Sequence, residues 1–438
     1  MRRSCFLAVL VAAACQGPAP IHSPSLRRPE VPLVIALPPG TRLTAELARS
    51  LPDAPEWRTA AVWWREALRQ TVAFELAEAG GAGDPIVVLS IDPAAHALAA
   101  HLRAEGRELA LAGESYADGD LAAAIDRLAW AARLALGERA ETPVPVAACT
   151  SAKIEAVLAV EDATALMRDG ALNGARRAFV DARRIDGAAP FVLDGLAAVE
   201  LLRGDAEGAV RICREALTYE ARLAPTTQHR LARTMLLARA SLTPNEAAAR
   251  DRELLTLARV GLRERPYDPE MALSEAIAHD FLGEFVVARP LLVALHRRLP
   301  EHGIVDYHLG WACLATGDAA SAVTHFERAA LRLPAAWLIL PRAISLYEAG
   351  KHDELDKMLD QVLDELPPGD GMASHQVRRM QAAHALLRSD MHGAVDRMVE
   401  DFTELLKNPL VLEQRSGEFA EQGAVLVRLG GASRLPPL

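Results

Sequence analysis

The sequence predicts a mainly α-helical protein, in which a small α/β domain precedes a right-handed α-solenoid built from helix pairs. Three observations predict this fold class. Alanine makes up about a fifth of the 438 residues and aromatic residues only 5%, a composition that favours closely packed helices. Small residues recur with a period of about 34 positions in residues 156–410, regularly in four segments and less regularly in three others. Nearer the N-terminus, short apolar runs end at proline or glycine, as buried strands do.

Residues 1–14 predict a cleaved export signal. Arg2 and Arg3 provide a basic start, and the apolar run from Cys5 to Ala14 matches the hydrophobic part of a secretory signal. About ten apolar residues are too few to span a bilayer. The sequence therefore predicts a protein that leaves the cytoplasm.

A lipidation pattern follows at the end of this signal. The run Ala12-Ala13-Ala14-Cys15 resembles a bacterial lipobox, although that family prefers leucine where this chain has Ala12. The resemblance implies a lipid on Cys15, including palmitate, and residues 15–30, rich in proline and serine, would then form a tether. Gln16, which is not acidic, implies an outer-membrane lipoprotein facing the periplasm. A secreted or soluble periplasmic protein is the alternative.

Residues 31–145 are expected to form the small α/β domain. Three tryptophans fall on its first helix, where apolar residues recur every three or four positions and indicate a core-facing side. Strands are predicted over Val31–Leu37, Ile86–Ile91, Ala95–Arg103 and Glu108–Ala112, and helices over Glu56–Ala79 and Leu121–Leu136.

The order of these elements resembles the amino-terminal domain of TolB-like and CsgG-like envelope proteins. The resemblance lies in the segment Glu114–Asp118, which leads into a helix with Leu121, Ile125 and Leu128. Proteins of that family act in assembly and interaction, so the resemblance implies a binding role for this domain.

The strongest pattern in the chain is a repeat of 34 residues. Small residues occupy template positions 8 and 20, glycine occupies position 15, a bulky residue position 24 and proline position 32. An insertion around Thr243–Arg250 is expected to lengthen one loop between helices, and a capping helix and tail are expected over 411–438. About seven repeats are predicted, starting at Ala156, Pro190, Pro225, Pro269, Gly303, Ala336 and His375.

This template resembles the tetratricopeptide repeat (TPR), a helix-turn-helix unit that buries its apolar faces by stacking on its neighbours. Small residues at positions 8 and 20 let two antiparallel helices approach closely, and glycine turns the chain between them. The resemblance implies a scaffold that binds proteins on the inner face of a superhelix.

In the TPR family, template positions 2, 5, 9 and 12 of each first helix line that inner face. The repeat that starts at Gly303 thereby presents Ile304, Tyr307, Trp311 and Leu314. The next repeat presents Trp337, Leu340, Ile344 and Tyr347. Aromatic anchors in a groove suit a peptide or helix with apolar side chains. The alternative is that Trp311 and Trp337 pack between adjacent repeats.

Basic and polar residues occupy the same template positions elsewhere in the array. They are His229, Arg233, Gln376 and Arg379, which are expected to hold carboxylates of a partner or to lie on a solvated face. The Lys and Asn pattern of carboxylate-clamp TPR domains is missing.

The sequence carries no recognisable catalytic motif. It contains no HExxH, phosphate-binding glycine loop or GxSxG element, and no Cys or His spacing typical of zinc, so no catalytic residue, metal site or cofactor is expected. Cys213 and Cys313 are expected to be buried thiols. The net charge of −10 argues against affinity for nucleic acid.

The predicted function is a non-enzymatic cell-envelope scaffold or assembly lipoprotein that binds partner proteins. The alternative is a periplasmic sensory module whose small domain binds a solute or glycan.

Overall fold

A computed structural model describes residues 35, 37–48, 54–77, 84–117, 119–138, 143–365 and 371–406. The predicted signal peptide, Cys15, the tether, and the capping helix and tail at 411–438 lie outside these residues. Contacts divide the chain into a first unit, Met1–Val305, and a second unit, Asp306–Leu438. Within the described ranges, no helix has both the length and the apolar character that crossing a bilayer requires.

The small domain contains a five-stranded sheet with the order β2-β1-β3-β4-β5. Strand β1 is parallel to both β2 and β3, whereas β3, β4 and β5 form an antiparallel meander. These last three strands confirm the strands predicted over Ile86–Ile91, Ala95–Arg103 and Glu108–Ala112. The strands are β1 Arg42–Leu47, β2 Glu75–Ala77, β3 Ile86–Asp92, β4 Ala97–Ala104 and β5 Arg107–Ser115.

The predicted strand over Val31–Leu37 is wrong in its described part. Neither Ile35 nor Leu37 is in a strand, because their amides donate to the carbonyls of Ala135 and Leu136 at the end of a helix, at 3.1 and 3.3 Å. The first strand comes only after the turn at Gly40. Its half-polar sequence, RLTAEL, gives a weaker strand signal than the apolar run before it.

The predicted helix over Glu56–Ala79 is also too long. Helix α1 spans Pro55–Arg69, and the Thr71 hydroxyl then accepts hydrogen bonds from the amides of Ala73 and Phe74. This local turn competes with helix continuation. The residues that follow enter the sheet as β2, so Phe74 is buried as part of the sheet core.

The tryptophans of α1 confirm the prediction of a core-facing side. The side chains of Trp63 and Trp64 are buried, and their indole nitrogens donate to the carbonyls of Ser151 and Val87, at 3.2 and 3.3 Å. Trp57 is partly buried against the same core. A satisfied indole donor lets these large rings fill the domain interior.

Helix α2, Leu121–Ala135, contributes two buried charged side chains to the small domain. The guanidinium of Arg133 donates to both carboxylate oxygens of Glu138, at 2.8 and 2.9 Å. Burial raises the pKa of Glu138, but the hydrogen bonds and charge of Arg133 outweigh it, so this pKa lies below its ordinary value. Asp126 instead accepts from the amide of Val146 at the start of the short helix α3, Val146–Cys149, and burial raises the pKa of Asp126 to about 7.

Seven helix pairs follow the small domain in the described residues, which confirms the mainly α-helical, TPR-like fold class. The unit boundary falls within α12. The pairs are α4 Ile154–Arg168 and α5 Leu172–Ile185, α6 Pro190–Leu202 and α7 Ala206–Leu217, α8 Pro225–Leu242 and α9 Ala247–Glu264, α10 Pro269–Phe281 and α11 Phe285–Arg298, α12 Gly303–Ala315 and α13 Ala319–Ala330, α14 Ala335–Glu348 and α15 His352–Glu365, and α16 Gly371–Leu387 and α17 Met391–Leu406.

The template residues occupy the positions that the repeat requires. Small residues at the close-contact positions are fully buried, as Ala163 and Ala175 show in the first pair and Ala322 in the fifth. The glycines between the helices adopt positive φ angles that side chains disfavour. They are Gly170, Gly204, Gly283, Gly317 and Gly350.

The insertion in the third repeat lengthens its helices and not the loop, contrary to the prediction for Thr243–Arg250. Helices α8 and α9 each contain 18 residues, and a single 3-10 turn, Pro244–Glu246, connects them. The run of alanines after Glu246 favours continuing the helix. Cys213 and Cys313 are buried as predicted, and burial raises the pKa of the Cys213 thiol to about 12.

Candidate partner-binding surface

Two of the predicted aromatic residues of the second unit, Trp311 and Trp337, lie around a third, Tyr307. The Tyr307 ring lies 6.5 Å from that of Trp311 on the same helix and 6.1 Å from that of Trp337 on α14. Phe326 on α13 lies beneath them, at 6.2 Å from Tyr307 and 5.7 Å from Trp311. Distances of this size are typical of interacting aromatic pairs.

The cluster is buried on one side only. Phe326 is fully buried, whereas Tyr307, Trp311 and Trp337 are half-buried. The rings therefore pack between neighbouring repeats and also keep part of their surface accessible. The two interpretations of the tryptophans, packing and partner binding, are compatible in this geometry.

The remaining predicted positions differ in exposure. The side chain of Leu340 is 50% exposed on α14, and that of Tyr347 is 36% exposed near the end of the same helix. Leu314 and Ile344 are half-buried, and so is Ile304 in the first unit. We call Tyr307, Trp311, Trp337, Leu340 and Tyr347 the aromatic surface. The ring of Tyr307 contacts those of Trp311 and Trp337, and Tyr347 lies apart from them, ten residues along the helix from Trp337.

Tyr347 contacts two histidines that no sequence motif indicates. Its ring lies edge-on to those of His352 and His384, at 5.4 and 6.3 Å. These histidines are 32 residues apart on different helices, so no local spacing indicates that they meet. A template alignment of successive repeats is the only sequence signal that could have placed them near each other.

The predicted basic position Arg233 lies in the first unit and is already paired. Its guanidinium is 2.9 Å from the carboxylate of Glu270, while Arg230 beside it is 2.6 Å from Asp194. Burial raises the pKa of Glu270, but Arg233 and Arg230 outweigh it and bring this pKa to about 2. The positive charge of Arg233 is thus neutralised within the protein.

His229, the other predicted polar position of the third repeat, is also internally satisfied. Its Nε2 lies 2.9 Å from the Ser274 hydroxyl, and burial lowers its pKa to about 4, so the ring is neutral at neutral pH. In the second unit, Gln376 and Arg379 are exposed on α16. Arg379 is therefore the one predicted basic position at which the structure shows an exposed side chain.

The small domain packs directly on the first four helix pairs within the first unit. Arg265, at the end of α9, donates to the carbonyls of Arg69 and Thr71, at 3.1 and 2.9 Å. Arg298, at the end of α11, lies 2.8 Å from the carboxylate of Glu75 in β2. Further contacts join Arg222 to the Ala148 carbonyl and Arg65 to Glu161. At Gly40 the small domain lies so close to Tyr267 that any side chain there would collide with the tyrosine ring.

The interior of the small domain contains a cavity of about 10 Å³. This volume accommodates one water molecule at most. A solute or glycan therefore finds no room in this cavity. It is lined by Leu43, Leu68, Thr71, Phe74, Leu76, Arg133 and Leu136.

The helix pairs, their repeat spacing and their glycine turns define a TPR-like α-solenoid fold. No protein-family model matches the sequence, and neither does any curated protein. Among solved structures, the chain is similar to TTC0263, a thermophilic TPR protein of Thermus thermophilus, with 18% identity, a TM-score of 0.35, and coverage of 44% of this chain and 99% of that one.

Two further solved structures illustrate the range of similar proteins. PilW, a type IV pilus biogenesis factor, matches with 15% identity, a TM-score of 0.33, and coverage of 51% of this chain and 97% of that one. The human IFIT1 dimer with m7Gppp-AAAA matches with 14% identity, a TM-score of 0.45, and coverage of 72% and 78%. At these identities and TM-scores, the similarity concerns the fold and says nothing about ligand or partner.

Proposed function

We propose that this protein is a non-enzymatic scaffold of the bacterial cell envelope that binds partner proteins through the aromatic surface. One observation carries the proposal: half-buried aromatic rings and an exposed leucine lie on the first helices of two successive repeats. The partner chemistry that fits is a peptide or helix with apolar side chains, because a mixed aromatic and aliphatic surface gains most by removing apolar groups from water.

The packing below the surface favours binding. Phe326 fixes Tyr307 and Trp311 from beneath, so these rings lose little conformational freedom when a partner covers them. Partly exposed tryptophan and tyrosine are the residue types that contribute most at protein interfaces. Arg379 is exposed on α16 and is proposed to contact a carboxylate of the same partner.

The proposed location rests on the N-terminal sequence. The pattern that ends at Cys15 supports export and a lipid anchor in the outer membrane, with the protein facing the periplasm. The excess of 58 acidic over 48 basic residues fits a protein scaffold better than a binder of nucleic acid.

Affinity capture with surface variants tests the binding site. Wild type, Trp337→Ala and Leu340→Ala are expressed in the envelope, and the captured proteins are compared by mass spectrometry. Truncation of an interface anchor costs about 2 kcal/mol, or about 30-fold in Kd, so specific partners should be lost from both variants. Leu331→Ala is the matched control, because Leu331 is 73% exposed but lies outside the aromatic surface.

Unchanged capture by the two variants would contradict the proposal. If the two variants fold as wild type does by circular dichroism and still capture the same proteins, the aromatic surface is not the binding site.

The lipid anchor is tested separately with Cys15→Ala. We expect this variant to move from the membrane fraction to the soluble periplasmic fraction, and its retention in the membrane fraction would count against the lipid.

A further inference from the structure

Two histidines of the second unit face each other across neighbouring helices. His352 begins α15 and His384 lies in α16, and the Nδ1 atom of the first is 3.2 Å from the Nε2 atom of the second. Their rings are stacked at 5.3 Å with an interplanar angle of 28°. His384 is buried, whereas His352 is half-buried and open to ions from solvent.

A carboxylate fixes the orientation of the buried histidine. Nδ1 of His384 lies 2.8 Å from Oδ1 of Asp356, and the other oxygen of Asp356 lies 3.0 Å from the guanidinium of Arg388. An ionised carboxylate only accepts, so Nδ1 of His384 carries the proton. The lone pair of a neutral His384 is then on Nε2, directed at His352.

This arrangement matches the geometry of nitrogen ligands on a transition-metal ion. Two imidazole nitrogens at about 2.05 Å from a tetrahedral zinc ion are separated by about 3.3 Å. The observed separation is 3.2 Å. An ion would lie about 1.3 Å to the side of the line that joins the two nitrogens, and rotation of the half-exposed His352 ring can direct its lone pair there. A carboxylate on the remote nitrogen is the usual support of a metal-binding histidine.

We propose that His352 and His384 bind a divalent transition-metal ion such as Zn²⁺ or Cu²⁺, with Asp356 as positioning residue and water in the remaining coordination positions. The ion replaces the single proton that the two facing nitrogens otherwise share, and it cross-links α15 to α16. Because divalent copper forms more stable complexes than zinc with the same nitrogen ligands, the site binds Cu²⁺ more tightly than Zn²⁺. It does not bind Mg²⁺, which prefers oxygen ligands.

Calorimetric titration of the full chain, purified without a histidine tag, tests the site with ZnCl₂, CuCl₂ and MgCl₂. His352→Gln should lose one equivalent of bound Zn²⁺, because the glutamine amide can still donate to His384 but does not replace an imidazole ligand. Asp356→Asn should keep the equivalent with an affinity lowered about 10- to 100-fold. His392→Ala is the control, since this histidine is 86% exposed on α17, and it should bind as wild type does.

The electron paramagnetic resonance spectrum of the Cu²⁺-loaded protein gives a second readout. The hyperfine pattern should show two nitrogen ligands in wild type and at most one at this site in His352→Gln. If His352→Gln binds the same number of Zn²⁺ ions as wild type with the same affinity, the proposal is wrong. A variant that lowers only the melting temperature, with metal binding unchanged, would likewise show that the pair is a structural hydrogen bond.

Discussion

Arg265 allows a direct test of how firmly the small domain is attached to the repeats. Its side chain is 6% exposed and donates to the carbonyls of Arg69 and Thr71. A hydrogen bond from a charged donor contributes about 1.5 kcal/mol net, so two of them contribute about 3 kcal/mol. Burial opposes this by destabilising the charged form, which lowers the pKa of Arg265. We therefore expect Arg265→Ala to destabilise this contact by about 2 to 3 kcal/mol.

Hydrogen exchange measured by mass spectrometry reports this contact locally. A loss of about 2 to 3 kcal/mol should speed exchange of β2 and of the end of α1 by about 30- to 150-fold. Arg265→Lys should fall between wild type and Arg265→Ala, because lysine keeps the charge but lacks the planar fork. Arg263→Ala is the matched control, as Arg263 is exposed two residues earlier on the same helix. Equal exchange in Arg265→Ala and Arg263→Ala would refute the reasoning.

Two further predictions concern packing and pH. Phe326→Ala should destabilise the second unit by about 3 to 5 kcal/mol, because the fully buried ring supports Tyr307 and Trp311. A loss of less than about 1 kcal/mol in the free energy of unfolding, measured by thermal unfolding, would contradict this. The buried Asp126 has a folded-state pKa of about 7 against an ordinary 3.8, so its stabilising effect is full below pH 3.8 and is lost as the pH rises to about 7. Titration of Asp126 should lower the free energy of unfolding, measured in urea, by up to about 1.4 kcal/mol per pH unit between pH 4 and 7, and Asp126→Asn should remove this dependence. If the free energies of variant and wild type change in parallel with pH, Asp126 does not titrate in this range.

The contacts of the small domain also determine which experiments can separate its role from that of the repeats. Removal of residues 31–145 would strip the Arg265 and Arg298 side chains of partners in the small domain and expose the apolar surface of α4 that faces α1. A deletion therefore damages the first four helix pairs along with the domain. Point variants such as Arg265→Ala are the better tools, because they weaken one contact at a time.

The repeat array could be predicted from the sequence because its packing restricts residue types strictly. Only small side chains fit where helices approach closely, and only glycine adopts the positive φ at turns such as Gly204 and Gly317 at little cost. The elements of the small domain were harder to predict, since an apolar run such as Val31–Leu37 is compatible with a strand or with packing beside a helix end. The end of α1 depended on the Thr71 hydroxyl, whose hydrogen bonds leave no periodic signal.

The candidate site was predictable to the extent that it follows the repeat template. Template positions placed Tyr307, Trp311 and Trp337 together, as their ring distances show. They did not show that Arg233 is neutralised, because its partner Glu270 belongs to the next repeat and the ion pair forms only on stacking. Long-range charge pairing of this kind depends on the register between repeats, which a single template does not contain.

Leu340 is the residue that best separates packing from binding on the aromatic surface. Replacing Trp337 removes a ring that contacts Tyr307, so a loss of partner binding in that variant could follow from a change of fold. Leu340 is 50% exposed, and its truncation removes less buried apolar area than the truncation of Trp337 does. The free energy of unfolding of Leu340→Ala should therefore change by less than about 1 kcal/mol. A large loss of binding with a small loss of stability in Leu340→Ala would therefore assign a binding role to the surface, whereas small losses of both would leave its rings with a packing role.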